Sequence, residues 1–262
     1  MNNLDLLDIY DHEVRQRAQW TRMTQEVFPN IVRHTSHERI RGAVISWFDL
    51  DGSDADIEIA AQAAHYKNLG MDLVWKVFGH DLPEDMGSRL EAQGFVLDGS
   101  DALMVIDLDE APDYYWSQPS VNIRRISTPD EVDAVMAMEK NVWNRDFSRL
   151  GTGLKMDLRD APHHLSMYAV FEGERSLSAA WMYYLDPAPF AMLLGGTTLP
   201  EHRGKGYYTA LLAARAREAR DRGIRFLTVD ASEMSRPILE KHGFIHLDDS
   251  KEYERLYTED VK

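Results

Sequence analysis

The sequence predicts an α/β fold made of two similar units in tandem, through a pattern that occurs twice. In each copy an alanine-rich helical run ends in glycine and leads into a short apolar strand, at residues 60–77 and 213–229. Both copies then reach the motif Leu-Glu-x-x-Gly-Phe, at residues 90–95 and 239–244. A shared motif at nearly the same offset indicates an internal duplication.

Composition limits the classes of protein to consider. The chain has 262 residues, 44% hydrophobic and 28% charged, which suits one large globular domain or two small ones. The N-terminal residues lack the pattern of a signal peptide and no apolar run reaches membrane-spanning length, so we expect a cytoplasmic protein without a membrane partner. The absence of cysteine excludes disulfides, thiolate metal sites and a cysteine nucleophile.

The net charge of −15 argues against nucleic acid as the partner, because a phosphate backbone is bound by a basic surface. An acidic balance is ordinary for a protein that stays in solution. It also suits a cationic substrate such as an amine.

The first half of the chain alternates helical and strand-like segments. Asp54 or Asp56 is placed to cap a helix that Gly70 ends. The predicted elements are a helix at 5–27, a strand at 40–50, a helix at 57–69, a strand at 72–78, a helix ending near 95 and a strand at 102–108.

Residues 109–120 break the periodicity with prolines, acids and small polar residues, which is typical of a linker. Tyr114, Tyr115 and Trp116 are too apolar for a free tether, so we expect this segment to pack against a domain. The predicted division is a domain at 1–110, a linker at 111–120 and a domain at 121–262.

In the second half, Thr128, Pro129 and Glu131 form a capping box that starts a helix reaching about Trp143. This helix carries Glu139 among its apolar residues. Residues 145–164 are irregular or partly helical. Strands are predicted at 122–126, 167–171, 177–185, 190–200, 224–229 and 252–257.

A basic, glycine-containing turn separates the strand at 190–200 from a helix at 209–222. Free backbone N–H groups and the helix dipole attract anions to such a helix start, and Gly204 and Gly206 allow close approach. Arg203 and Lys205 add positive charge. The corresponding turn of the first copy, residues 51–56, is acidic and would repel a phosphate, so we expect only the second copy to bind one.

Residues 121–257 resemble the GNAT N-acetyltransferase superfamily. Arg203 and Gly206 match the first and fourth positions of the family's pyrophosphate loop Q/R-x-x-G-x-G/A, whereas Tyr208 stands where the family has Gly or Ala. Residues 232–244 resemble the family's N-x-x-A-x-x-L-Y-x-K-x-G-F region, with Ser232, Ser235 and Leu239 in place of its Asn, Ala and Tyr.

The resemblance implies two tandem GNAT-like units, the first degenerate, each a mixed, mostly antiparallel sheet flanked by helices. It implies acetyl-CoA as cosubstrate and no metal. It also implies a set of cofactor-binding residues, comprising Gly196, Thr197, Thr198, Arg203, Gly204, Lys205, Gly206, Tyr207, Tyr208, Thr209 and Ser232.

The catalytic residues stay unknown at this stage, because Leu239 replaces the tyrosine that is the family's usual general acid. Substitutes for it are water or one of several tyrosines, namely Tyr183, Tyr184, Tyr207, Tyr208 and Tyr253. Asp230 and Glu233 are candidate bases, although a helix-capping role suits them better. His163 and His164 have no metal-ligand spacing and are expected to be surface residues.

The resemblance implies an N-acetyltransferase that acetylates a primary amine of a small molecule or amino acid. A non-catalytic acyl-CoA-binding or regulatory protein is the alternative, because the tyrosine is missing. A nucleotide-phosphate binder is disfavoured, since the turn lacks the full dinucleotide and nucleoside-triphosphate fingerprints. The acceptor stays open, as does a homodimer.

Overall fold

The computed structural model describes residues 2–38, 42–117 and 121–257. The start of the strand predicted at 40–50, the end of the linker and the two chain ends lie outside these ranges. The chain divides into two compact units. The first contains the described residues up to Met104, Asp230–Lys241 and those from Ile245 onward, and the second contains Val105–Val229 and His242–Phe244.

The first unit is a sheet with helices. Its elements are α1 (Asn3–Tyr10), a π-helical segment (Asp11–Arg17), β1 (Met23–Val27), β2 (Ile31–Ser36), β3 (Ala43–Phe48), α2 (Ala55–Leu69), β4 (Leu73–Phe78), α3 (Met86–Ala92), the start of β5 (Val96–Asp107), α7 (Arg236–Lys241) and β11 (Ile245–Arg255). The strand order is β1-β2-β3-β4-β11.

Within this sheet β3 and β4 are parallel and the other adjacent strands pair antiparallel. Parallel neighbouring strands need a crossover connection, and α2 supplies it between β3 and β4. A buried core forms there around Trp75, with Ile59 and Tyr66 of α2 and Leu90 of α3 packed in the same cluster.

A charged network lies beside this core. Arg15 is 2% exposed and donates to both carboxylate oxygens of Asp81 at 2.9 and 2.8 Å. His80 lies between Asp11 and Asp248, with Nε2 2.6 Å from Asp11 Oδ2 and Nδ1 2.5 Å from Asp248 Oδ2. These hydrogen bonds raise the pKa of His80 to about 10, so its ring is charged at neutral pH.

The second unit repeats the plan. After the end of β5 and a 3₁₀ turn (Asp113–Trp116) it contains β6 (Arg124–Arg125), α4 (Pro129–Trp143), α5 (Ser148–Asp160), β7 (Leu165–Glu172), β8 (Arg175–Tyr184), β9 (Phe190–Thr198), a 3₁₀ turn (Pro200–His202), α6 (Tyr207–Asp221) and the start of β10 (Phe226–Ala231). The strand order is β10-β9-β8-β7-β6.

Here β9 and β10 are the parallel pair and α6 connects them, while β6, β7, β8 and β9 pair antiparallel. The capping box is present, since Thr128 Oγ1 accepts from the Glu131 N–H and the Glu131 carboxylate accepts from the Thr128 N–H. Tyr115 is fully buried, as expected for a linker that packs against a domain. The fold class is therefore confirmed as mixed, mostly antiparallel sheets flanked by helices.

Some predicted elements were wrong. Residues 23–27 form β1 rather than the end of a helix, and β2 was not predicted. Residues 148–160 form a complete helix, α5. The last strand, β11, starts at Ile245, well before the predicted 252, and pairs with β4 in the first unit, whereas the sequence-based range 121–262 assigns it to the second domain.

Candidate active site

A β-bulge interrupts β9 in the second unit. Ala179 of β8 pairs with Thr197 and Ala180 pairs with Gly195, so Gly196 is the extra residue. Both glycines have positive φ, +70° at Gly195 and +84° at Gly196. A Cβ at Gly195 would lie 2.4 Å from Trp181 Cζ3, so only glycine fits. At the bulge, Gly196 has no pairing partner on β8, although Thr197 and Thr198 after it do.

The turn after β9 presents free N–H groups. Gly204 and Gly206 have φ of +74° and +79°, which turns the chain into the start of α6 without a side-chain cap. Within the described chain, the N–H groups of residues 204–209 donate to no acceptor. Arg203 and Lys205 are exposed beside them, and Arg203 Nε donates to the Thr198 carbonyl at 3.3 Å. This is the geometry of an anion site.

Tyr208 lies between this turn and the bulge. A Cβ at Gly196 would lie 3.2 Å from Tyr208 Cε2, so the ring rests against the bulge. The ring also lies 5.8 Å from that of His242, whose Nε2 is 3.4 Å from Thr209 Oγ1. Burial raises the pKa of the Tyr208 phenol, and the charge of Arg215 partly opposes this.

Arg215 of α6 carries a buried charge behind Tyr208. It is 2% exposed, and its Nη1 donates to the Trp181 carbonyl at 3.1 Å. Burial lowers the pKa of the guanidinium to about 10, which leaves it charged at neutral pH. The site therefore combines the exposed charges of Arg203 and Lys205 at the turn with the buried charge of Arg215.

The other tyrosines considered as general acids are held elsewhere. Tyr183 donates to Asp157 Oδ2 at 2.5 Å, and Tyr184 lies 3.3 Å from Ser166 Oγ. Tyr207 stacks on His202, and Tyr253 belongs to the core of the first unit. Tyr208 is the one of this group that contacts the β9 bulge.

The second unit thus brings together the predicted cofactor residues from Gly196 to Thr209. Ser232 lies in the first unit, where its Oγ is 3.1 Å from Ser235 Oγ in the turn before α7. Asp230 accepts from Lys76 at 2.5 Å, and Leu239 is buried.

In the corresponding turn of the first unit, a side-chain carboxylate accepts the hydrogen bonds of the backbone N–H groups. Asp51 Oδ1 accepts from the N–H of Ser53 at 2.7 Å, from the Ser53 hydroxyl at 2.5 Å and from the N–H of Asp54 at 3.0 Å. These hydrogen bonds lower the pKa of the Asp51 carboxyl. A carboxylate therefore takes the N–H groups that are free in the second unit.

Sequence reasoning missed one residue near β9. Glu139 of α4 is 2% exposed, faces inward and contacts Thr197. Its signal in the sequence was a charged residue among the apolar positions of a helix. Such a residue needs a partner once it is buried.

The described residues contain no group of three or more His, Asp or Glu positioned to hold a metal ion. In the same part of the chain, no helix is long and apolar enough to cross a membrane. His163 and His164 lie in a turn with their rings 4.2 Å apart, and His163 is exposed.

Comparison with known proteins agrees with this geometry. Residues 128–244 match the family model described as Acetyltransferase (GNAT) family. A comparison with curated proteins found no match.

Among solved structures, the chain is similar to a GCN5-related N-acetyltransferase from Kribbella flavida, with a TM-score of 0.66 and 14% identity over 88% of this chain and 89% of that one. It is also similar to a tandem GNAT protein from the clavulanic acid biosynthesis pathway, with a TM-score of 0.59 and 13% identity over 93% of this chain and 86% of that one. A GCN5-related N-acetyltransferase from Sphaerobacter thermophilus has a TM-score of 0.57 and 13% identity over 89% of this chain and 78% of that one. At these identities the likeness shows a shared fold.

A bulged strand, a glycine turn with free N–H groups and the helix after it define an anion-binding site at a sheet of the second unit. Residues 128–244 are a domain of the GNAT acetyltransferase family, as the motif around Arg203 and Gly206 predicted.

Proposed function

We propose that this chain is an acetyl-CoA-dependent N-acetyltransferase that acetylates a primary amine of a small molecule. The observation that carries the proposal is the row of free N–H groups at residues 204–209 beside Arg203, in a domain of the GNAT family. A pyrophosphate fits there because it accepts many hydrogen bonds and carries negative charge. The first unit has no such opening, because Asp51 occupies its turn.

In this proposal the acyl arm pairs with β9 at its bulge, adding itself as a short strand. The N–H groups near Gly196 polarise the thioester carbonyl. The amine nitrogen attacks that carbonyl carbon, the C–S bond breaks, and the thiolate takes a proton. Tyr208 donates that proton, since its ring lies against Gly196 and its phenol is protonated at neutral pH. The attacking nitrogen loses one proton as the amide forms, and this proton restores the Tyr208 phenol.

The test is isothermal titration of acetyl-CoA against the wild type, with NADH and ATP as competing candidates. We expect acetyl-CoA alone to bind, and Arg203→Ala to weaken it at least about tenfold, the loss expected for one charge-assisted hydrogen bond. Arg17→Ala is the matched control, because Arg17 is an exposed arginine that pairs with Glu13 in the first unit. If acetyl-CoA does not bind, the proposal is wrong.

A second candidate function is an acyl-CoA-binding protein without transfer activity. It is favoured by one observation, the buried Leu239 at the position of the family's usual tyrosine. A panel of primary amines with release of free thiol as the readout separates the two. Binding of acetyl-CoA together with silence across the panel would select the second candidate.

A further inference from the structure

Glu139 carries an unpaired carboxylate oxygen in the interior of the second unit. The residue is 2% exposed, and its Oε1 is buried with no hydrogen-bond partner. In the described part of the chain no lysine, arginine or histidine pairs with it; its contacts are the neutral donors Thr197 and Trp143. A buried carboxylate without a cation is unfavourable, because no opposite charge replaces the water that it has lost.

The surroundings place this oxygen pair beside the bulge. Glu139 Oε2 accepts from Thr197 Oγ1 at 2.9 Å, and Thr197 directly follows Gly196 on β9. Trp143 Nε1 donates to Glu139 Oε2 at 2.9 Å and to Thr197 Oγ1 at 3.2 Å. Trp143 is 48% exposed. The buried carboxyl therefore contacts a partly exposed indole ring, beside the strand with which the acyl arm would pair.

An ammonium group matches what this arrangement lacks. It brings the missing positive charge and several N–H donors, enough for Glu139 Oε1 and for the acceptors that the indole now serves. Its cation could also lie over the Trp143 ring, whose face attracts cations. A hydroxyl or thiol acceptor brings no charge and leaves the buried carboxylate unbalanced.

We infer that Glu139 binds the ammonium group of the acceptor and takes its proton, with Trp143 giving up its hydrogen bonds as the acceptor enters. The inference rests on the proposed function and assigns the residue that binds and deprotonates its amine acceptor. The proton passes from the ammonium nitrogen to the Glu139 carboxylate, which leaves a neutral acid and an amine lone pair that attacks the thioester carbonyl. Product release returns the proton to solvent.

Burial raises the pKa of the Glu139 carboxyl above its ordinary value, which is the direction a proton acceptor for an ammonium requires. It also makes the neutral acid tolerable after proton transfer.

The first experiment measures binding without transfer. The protein is labelled with 5-fluorotryptophan, and the resonance of Trp143 is assigned by its loss in Trp143→Phe. We expect n-butylammonium to shift that resonance and n-butanol to leave it in place, and we expect Glu139→Gln to abolish the shift. No shift with n-butylammonium, or an undiminished shift in Glu139→Gln, overturns the inference.

The second experiment measures transfer. Glu139→Gln keeps the size and the Thr197 hydrogen bond, and we expect kcat/KM for the amine to fall about 100-fold or more. The Kd for acetyl-CoA should stay within about twofold of the wild type, since the variant lies outside the pyrophosphate turn. Glu172→Gln, an exposed glutamate of the same unit, is the matched control. A variant that keeps wild-type kcat/KM overturns the inference.

The two experiments separate this inference from the proposed function. If the wild type acetylates no amine yet the Trp143 resonance shifts with n-butylammonium, the ammonium site stands and the transfer activity fails. If the wild type transfers acetyl groups and Glu139→Gln does so equally well, the activity stands and the role of Glu139 fails.

Discussion

Gly195 is the position where the bulge of β9 is most sensitive to a single methyl group. Its φ of +70° disfavours any other residue by about 1–2 kcal/mol. An added Cβ would also lie 2.4 Å from Cζ3 and 2.6 Å from Cε3 of Trp181, which is 4% exposed and has no room to withdraw. Overpacking of this kind costs about 1–3 kcal/mol. Gly195→Ala should therefore lower the free energy of unfolding of the second unit by about 2–5 kcal/mol.

The matched control is Gly173→Ala. Gly173 has φ of +60° in the β7–β8 turn, and a Cβ there meets nothing within 4 Å, so only the backbone cost of about 1–2 kcal/mol applies. Hydrogen exchange followed by mass spectrometry of β8 and β9 peptides measures the local opening free energy of the second unit separately from the first.

A double-mutant cycle isolates the contact. The clashing atoms belong to the six-membered part of the Trp181 indole, so Trp181→Phe should relieve most of the overpacking caused by Gly195→Ala. We expect a coupling of about 1–3 kcal/mol. Equal losses for Gly195→Ala and Gly173→Ala, or no coupling to Trp181→Phe, would refute the packing we describe for the bulge.

Three further predictions concern single side chains. Tyr208→Phe keeps the ring on Gly196 and removes the phenol, so kcat should fall about 100-fold while titration gives an unchanged Kd for acetyl-CoA. Asp51→Ala frees the N–H groups before α2 and should lower the Tm at neutral pH; since the folded pKa of Asp51 is depressed, calorimetry should show the difference from wild type vanish as the pH falls through that pKa. The pKa of His80 is about 10 in the folded protein and 6.5 for an ordinary histidine, so its contribution to the free energy of unfolding is full below pH 6.5 and is lost as the pH rises to about 10. After allowance for the partial exposure of His80, this contribution is about 1–2 kcal/mol. Urea unfolding at several pH values should show this loss in the wild type and not in His80→Gln.

The features that the sequence predicted correctly are those that depend on residues close together in the chain. The capping box at Thr128, the glycines of the turn after β9 and the duplicated helix–glycine–strand pattern depend on neighbours within a few residues. The phosphate-type turn could therefore be placed, and its acidic counterpart recognised, before the structure was known.

What the sequence did not predict depends on distant partners. β2 carries Arg33 and His34 in its interior, which hid its apolar pattern, and both are buried because other elements cover them. β11 pairs with β4, far away in the chain, so no local signal assigns it to the first unit. The role of Glu139 depends on Thr197 approaching from β9.

The pairing of β11 with β4 has a consequence for how the protein is made. Tyr253 lies opposite Trp75 and belongs to the core around it, so the first unit lacks a strand and a core side chain until β11 has left the ribosome. The β4 edge of the nascent first unit stays open while the second unit is being synthesised. A stop codon after residue 244 would therefore damage the first unit rather than the second, which directly precedes the stop.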